Sequence, residues 1–216
     1  MNNKPSLMFH EILNDSSVKS GWHNESKGKY TISKNRFIEI IDKFRDSVNY
    51  TFDDGGSSNF EASLELKRRN IKGIFFISTF FVNKIGFLNI NQIKEMSKNH
   101  YIFSHGHNHL MNNFNFNELK LDWAESLKFM KLHGLETGTI CLPGGTFSKT
   151  HLKVFISLGI KNIYHSAPTN ILLRLLFPKK INYYPRFIVD NKFKNMSKFN
   201  YVSVKSHIKQ LINYNK

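Results

Sequence analysis

Apolar positions along this chain switch between two periods. Residues 34–45 place Phe37, Ile40, Ile41 and Phe44 at helical spacing, the stripe an amphipathic helix lays against a core. Residues 89–99 repeat it with Ile90, Ile93 and Met96, and 115–133 form the longest such stretch, stopped by Gly134. Further helices are predicted over 57–69, where Ser57 or Ser58 can cap with Glu61 close behind, and over 148–157 and 202–213. Between them lie short extended runs: 6–12, 47–52, 72–78, 101–104, 137–142, 161–165 and 183–189. Strand alternating with helix predicts an α/β protein with a parallel sheet, either an open layer or a barrel. With no internal repeat and no Pro/Gly/Ser linker, residues 1–216 read as one domain.

The polar positions break the pattern in one place of the architecture. Asp53-Asp54, His105 to His109, Pro143-Gly144-Gly145 and His165 all follow predicted strands. In a parallel barrel, strand C-termini gather on one face, where such folds carry their active sites. Asp-Asp-Gly alone is ordinary turn chemistry, and paired histidines recur by chance in a chain with 10 His. Taken together, one carboxylate and two imidazoles would supply the three protein ligands of a catalytic zinc. Successive side chains at a strand end diverge. One of Asp53 and Asp54 could therefore bind metal while the other takes a proton from water activated there.

Composition narrows the alternatives. Hydrophobic residues make up 40% of the chain, enough for a packed core, which excludes global disorder. The single cysteine, Cys141, excludes an internal disulfide and a Cys-cluster zinc site. Thirty-one basic against 16 acidic residues give +15, which favours anionic partners. The basic residues are mostly lysine and Asn is also abundant, so A/T-rich codons account for the charge equally well. The positive charges are scattered, with no aromatic–basic motif, so no nucleic-acid partner is expected. The polar start has no apolar core of a secretory signal, and no apolar run approaches the ~20 residues of a membrane span. The expectation is a cytoplasmic protein. From Ile171 to Lys180 the chain reads Ile-Leu-Leu-Arg-Leu-Leu-Phe-Pro-Lys-Lys. That segment would either fill the barrel rim or dock peripherally on an anionic membrane.

Thr51-Phe52-Asp53-Asp54-Gly55 resembles the first motif of the polysaccharide deacetylases, the NodB-homology family or carbohydrate esterase family 4. His105-Gly106-His107-Asn108-His109 resembles the second, and Leu142-Pro143-Gly144-Gly145 the third. Leu7 to His10, Tyr30 to Ser33 and Tyr184 to Phe187 fit the framing, so the resemblance spans nearly the whole chain. It implies an irregular, incomplete (β/α) barrel of about seven strands. It also implies metal-dependent removal of an N-acyl group, usually acetyl, from an amino sugar of a polysaccharide or a lipid-linked precursor.

By the same resemblance, Asp53 is the general base, and Asp54, His105 and His109 hold a divalent metal, zinc. His10 matches the general acid of members with a permuted motif order, with His165 as its substitute; Ser206-His207 is a weak match to the usual C-terminal acid motif. Pro143, Gly144, Gly145 and Arg186 form the expected substrate side, the glycines letting a sugar lie against bare backbone. Cys141 stands where the family often has the arginine that orders the base. Arg186 either reaches in to replace it, with Asp190 as a partner, or stands at the surface after Pro185. The alternatives are a deformylase acting on a lipid-linked amino sugar and a degenerate member that binds glycan without turnover.

Overall fold

The computed structural model describes residues 4–13, 19–22, 30–111, 114–145, 147–166, 180–190 and 193. The predicted helix over 202–213, and all of the apolar–basic segment except Lys180, lie outside these residues. Nine strands are present among the described residues: β1 (Ser6–Phe9), β2 (Glu11–Ile12), β3 (Thr31–Ile32), β4 (Asn49–Phe52), β5 (Gly73–Ile77), β6 (Tyr101–Ser104), β7 (Thr139–Cys141), β8 (Asn162–His165) and β9 (Asn182–Ile188). Five α-helices accompany them: α1 (Lys34–Phe44), α2 (Ser58–Arg68), α3 (Ile90–Ser97), α4 (Phe116–Leu132) and α5 (Lys149–Ser157).

Seven of the strands close into a barrel in the order β1-β4-β5-β6-β7-β8-β9. Each pairing is parallel, and β1 completes the ring against β9, Ser6 opposite Arg186. The run expected as one strand over 6–12 is broken at His10. The chain leaves the barrel after Phe9, and β2 pairs with β3 outside it.

Every residue of β5 is buried, as expected of a parallel strand covered on both faces. Its alternation sorts two cores. Ile74 and Phe76 point into the barrel with Phe103, Cys141, Tyr164 and Tyr184. Phe75 and Ile77 point outward into a layer shared with Phe37, Ile41, Leu66 and Ile93 of the helices. A second outer layer packs Trp123 and Leu119 of α4 and Phe155 of α5 on Ile140 and Ile163. The same parity runs through the other strands. Leu7 and Phe9, and Tyr50 and Phe52, face outward, so Met8, His10, Thr51 and Asp53 face inward.

Four helices carry side-chain N-caps, Ser33 on α1 among them, and the other three add a second bond. Asn89 with Gln92, Asn115 with Glu118 and Ser148 with His151 each form reciprocal capping boxes. Helix α2 differs from expectation: Ser57 precedes it but makes no side-chain cap. The hydroxyls go elsewhere. Ser58 Oγ donates to the buried Glu11 carboxylate at 2.6 Å, and Ser57 Oγ to the Lys19 carbonyl at 3.1 Å. Ser20 Oγ also donates to Glu11, and Gly21 N–H to the Gly86 carbonyl at 2.7 Å. These bonds strap residues 19–22 across the barrel mouth. Among the described residues no helix is long and apolar enough to cross a membrane.

Candidate active site

Strand parity delivers the first group of side chains. His10, Asp53 and His105 each sit one residue beyond a barrel strand and continue its inward alternation, while Arg186 points inward from β9 itself. Asp53 and Arg186 are both buried. Arg186 grips the carboxylate with both nitrogens, Nη1 to Oδ1 at 2.5 Å and Nη2 to Oδ2 at 2.8 Å. Its guanidinium also lies 5.2 Å over the Phe76 ring. Burial works to raise the Asp53 pKa, but the Arg186 guanidinium and the imidazoles of His105 and His10 outweigh it. The carboxylate is held below its ordinary range and stays ionised. Arg186 thus pairs with Asp53 in the manner expected of the missing third-motif arginine, and it also lines the cleft.

Cys141, at the position where an arginine was anticipated, lies on the inward face of β7. Its Sγ is 2.8 Å from Arg186 Nη2 and 3.7 Å from Asp53 Oδ1. The small side chain leaves the space that the guanidinium fills from the other side. Burial pushes the Cys141 thiol up, which keeps it neutral.

Asp54 and His109 arrive differently. Both adopt left-handed backbone, φ 72° and 59°, which costs a non-glycine residue roughly 1–2 kcal/mol. The twist at Asp54 revises the idea that neighbouring aspartates must diverge. Asp54 Oδ1 is 3.4 Å from His105 Nε2, and Asp53 Oδ2 is 4.0 Å from the same nitrogen. His109 Nε2 is 3.3 Å from Asp54 Oδ1.

The ligand atoms of Asp54, His105 and His109 all lie within 4.8 Å of one another. Ligands about 2.1 Å from a shared tetrahedral ion sit roughly 3.4 Å apart, which matches both contacts to Asp54. His105 Nδ1 is 2.9 Å from the Cys141 carbonyl. That acceptor fixes the proton on Nδ1 and leaves the Nε2 lone pair aimed inward, as a metal-binding imidazole requires. These residues fit a divalent metal. Asp53, His105 and Cys141 form a second cluster of similar size, but Arg186 Nη2 lies 2.8 Å from both Asp53 Oδ2 and Cys141 Sγ and repels a cation.

The triad opens into a cleft of about 740 Å³, lined also by Met8, His10, Trp22, Tyr30, Phe81, Met111, Leu142, Gly144, Gly145 and Ile188. His10 Nε2 is 4.0 Å from Asp53 Oδ2. Its ring lies 4.6 Å from Tyr30, and Asn59 Nδ2 donates to its carbonyl at 2.7 Å. His165 is not in the cleft. Tyr164 takes the inward position on β8, so His165 is fully buried on the outer side, edge-on to Phe147 at 6.0 Å. Parity therefore removes it as the substitute acid.

The third motif also needs correction. Gly144 and Gly145 line the cleft, but Pro143 is buried and does not. Both glycines have positive φ. A Cβ on Gly145 would lie 1.5 Å from Ser166 Oγ, and one on Gly144 3.2 Å from the Met111 sulfur. Their bareness serves the fold's own packing at least as much as a ligand.

Trp22 was missed by sequence reasoning. It stands on the strapped segment 19–22, 4.5 Å from the His109 ring and 4.7 Å from Phe81. An isolated aromatic carries no spacing signal. The buried Glu11, in a strand-like run, was the one hint of the strap.

A seven-stranded parallel barrel with an Asp/His/His cluster at its C-terminal face is a (β/α) barrel with a candidate divalent-metal site. The chain belongs to the polysaccharide deacetylase family, whose profile matches residues 42–163. Solved structures with this fold include IcaB from Ammonifex degensii, 21% identical with a TM-score of 0.69 over 86% of this chain and 91% of that one. The Streptococcus pyogenes deacetylase PplD, in complex with acetate, is 17% identical with a TM-score of 0.74 over 96% and 97%. A de-N-acetylase from Aggregatibacter actinomycetemcomitans is 15% identical with a TM-score of 0.67 over 92% and 99%. No curated protein sequence matches.

Proposed function

We propose that this chain hydrolyses the N-acetyl group of an amino sugar, in a polysaccharide or its lipid-linked precursor, with a divalent metal such as zinc on Asp54, His105 and His109. The observation that carries the reading is the meeting, in one cleft, of that triad with a carboxylate held ionised by a buried arginine. A purely binding protein has no use for such a base. When bound, the metal supplies a Lewis acid that polarises the acyl oxygen and eases deprotonation of water.

Asp53 takes the proton from the attacking water. Its Oδ2 faces His105 and His10, whereas Oδ1 makes the shorter bond to Arg186, so Oδ2 is the atom that receives it. His10 gives a proton from Nε2 to the departing nitrogen, and acetate and the free amine leave. Tyr30 and Asn59 hold the His10 ring and backbone in place for that transfer. PplD, with the same fold, is a deacetylase solved with acetate, which supports acetyl as the group removed. A cytoplasmic setting, with membrane docking through residues 171–180, remains part of this proposal and rests on the sequence pattern alone.

The test uses purified chain, metal analysis and an acyl-release assay. Its panel holds N-acetyl and N-formyl amino-sugar oligomers and lipid-linked sugars. The expected result is about one metal per chain and acetate release, both lost in a His105→Ala, His109→Ala double variant. Full metal occupancy in that variant, or no acyl release from any member of the panel by metal-loaded protein, would overturn the reading.

A further inference from the structure

The loop carrying His109 is gripped from outside the barrel by one face of helix α4. Asp122 is buried, 4% exposed. Its Oδ2 accepts the His107 N–H at 2.9 Å, and its Oδ1 accepts both the Asn108 N–H at 2.8 Å and Asn108 Nδ2 at 3.0 Å. Three donors converge on one side chain. Only a carboxylate, acceptor at both oxygens, satisfies them all. One turn further along, Ser126 Oγ donates to the Gly106 carbonyl at 3.1 Å. The same hydroxyl meets Ser104 Oγ at 2.7 Å and Thr79 Oγ1 at 3.2 Å. Asp122 and Ser126 are four residues apart and so share a helix face. Between them they fix the amides and the carbonyl of residues 106–108. Gly106 permits the close approach, since a Cβ there would stand 3.1 Å from Asp122 Oδ2.

His105 does not depend on this grip. Its backbone N–H is held by the Ile77 carbonyl at 2.9 Å and its ring by the Cys141 carbonyl. His109 follows the gripped loop immediately, in left-handed backbone, and is the most exposed of the three ligand candidates. We propose that Asp122 is a positioning residue that sets the metal affinity of the site by presenting His109, with Ser126 as its secondary support. This rests on the metal reading above. Asp122 does not itself line the cleft and reaches it only through Asn108, so it acts on the occupancy of the site and not on the chemical step.

The expected size follows from other metal sites, where loss of an outer supporting hydrogen bond weakens binding about 10–100-fold. Asp122→Asn is the discriminating variant: the same shape, but with an NH2 facing one of the donors. Zinc affinity is measured on metal-free chain by competition with a chromogenic chelator. Asp122→Asn is expected to bind zinc about 10–100-fold more weakly, with kcat at saturating zinc within a few-fold of the parent. In a His109→Ala background the same substitution should leave zinc affinity unchanged, because the ligand it positions is gone. A merely structural role would lower affinity equally in both backgrounds.

Ser126→Ala, the milder change, should weaken zinc binding several-fold, and it carries the test if Asp122→Asn does not fold. Parent-like zinc affinity in the folded Asp122→Asn variant, or in Ser126→Ala if that stands alone, would overturn the proposal. So would an undiminished Asp122→Asn effect beside His109→Ala. Failure of the parent chain to bind zinc at all would overturn the metal reading together with this one.

Discussion

Two sets of side chains meet in the cleft, and they get there by different means. His10, Asp53, His105 and Arg186 are in register with barrel strands, and their direction follows from alternation that the buried cores fix on both sides. Asp54 and His109 lie off register, and each depends on left-handed backbone. The first set carries the proposed proton chemistry and one ligand, while the second supplies the other two ligands. The strand frame thus holds the groups whose spacing decides a rate, and two of the three groups that would clasp an ion come from loops held by other bonds. The division predicts that substitutions in the two sets fail differently.

The sharpest break comes at Asp53. Asp53→Asn should keep its metal but lose turnover by about 10²–10⁴-fold, the range of general-base contributions. Acetate release paired with elemental analysis reads both quantities. Loss of metal from this variant would show that the two sets are not separable.

Next in size is the arginine. Arg186→Met leaves Asp53 buried without its counter-ion, and breaking such a pair costs about 3–5 kcal/mol. Chemical denaturation should show that loss. The acid limb of the rate profile should also move to higher pH, since burial alone raises a carboxyl. Adding Cys141→Arg returns a guanidinium from β7, two strands away in the barrel, and should restore part of both. A stable Arg186→Met variant with an unmoved acid limb would mean that the register-held set does not depend on this pair.

The smallest effect lies away from the cleft and asks whether the frame itself is acid-labile. Burial pushes His151 down to about 4, where its Nδ1 accepts the Ser148 N–H at 3.2 Å. Burial likewise lowers His100, whose Nδ1 accepts the Gly73 N–H at 3.1 Å. Both are neutral when folded and gain protons on unfolding, so their stabilisation is complete above pH ~6.5. For His151 it drains away as pH falls from there towards 4, at up to about 1.4 kcal/mol per pH unit. His151→Gln keeps an acceptor at the cap and removes the titration. Its melting temperature should vary less between pH 6.5 and 4 than the parent's, and an identical slope would refute the assignment.

Much of this was legible in the sequence. The strand–helix alternation, the inward face of strand ends and the Asp-Asp/His–His grouping all follow from periodicity and residue chemistry. Parity could even have dismissed His165, since the aromatic Tyr164 takes the inward place before it. The remainder was hidden for physical reasons. Left-handed backbone at Asp54 and His109 leaves no mark in the pattern of apolar and polar positions. Asp122 sits mid-helix, where an acidic residue ordinarily faces solvent, and Glu11 lies in a run that reads as plain strand. Pro143 was grouped with Gly144 and Gly145, but only the two glycines line the cleft, and close packing calls for the same small residues as ligand access does.

The barrel closes only when β9 reaches β1, and that closure has a kinetic meaning. Arg186 and Asp53 are 133 residues apart in the chain. Contacts so remote carry a large loop entropy and form late, after local helices and neighbouring strands are in place. Until then the Asp-Asp-Gly turn can be fully shaped while its carboxylate still lacks a counter-charge. The proposed activity is therefore expected to depend on the finished topology, so that during refolding acetate release should return with ring closure and not with helix.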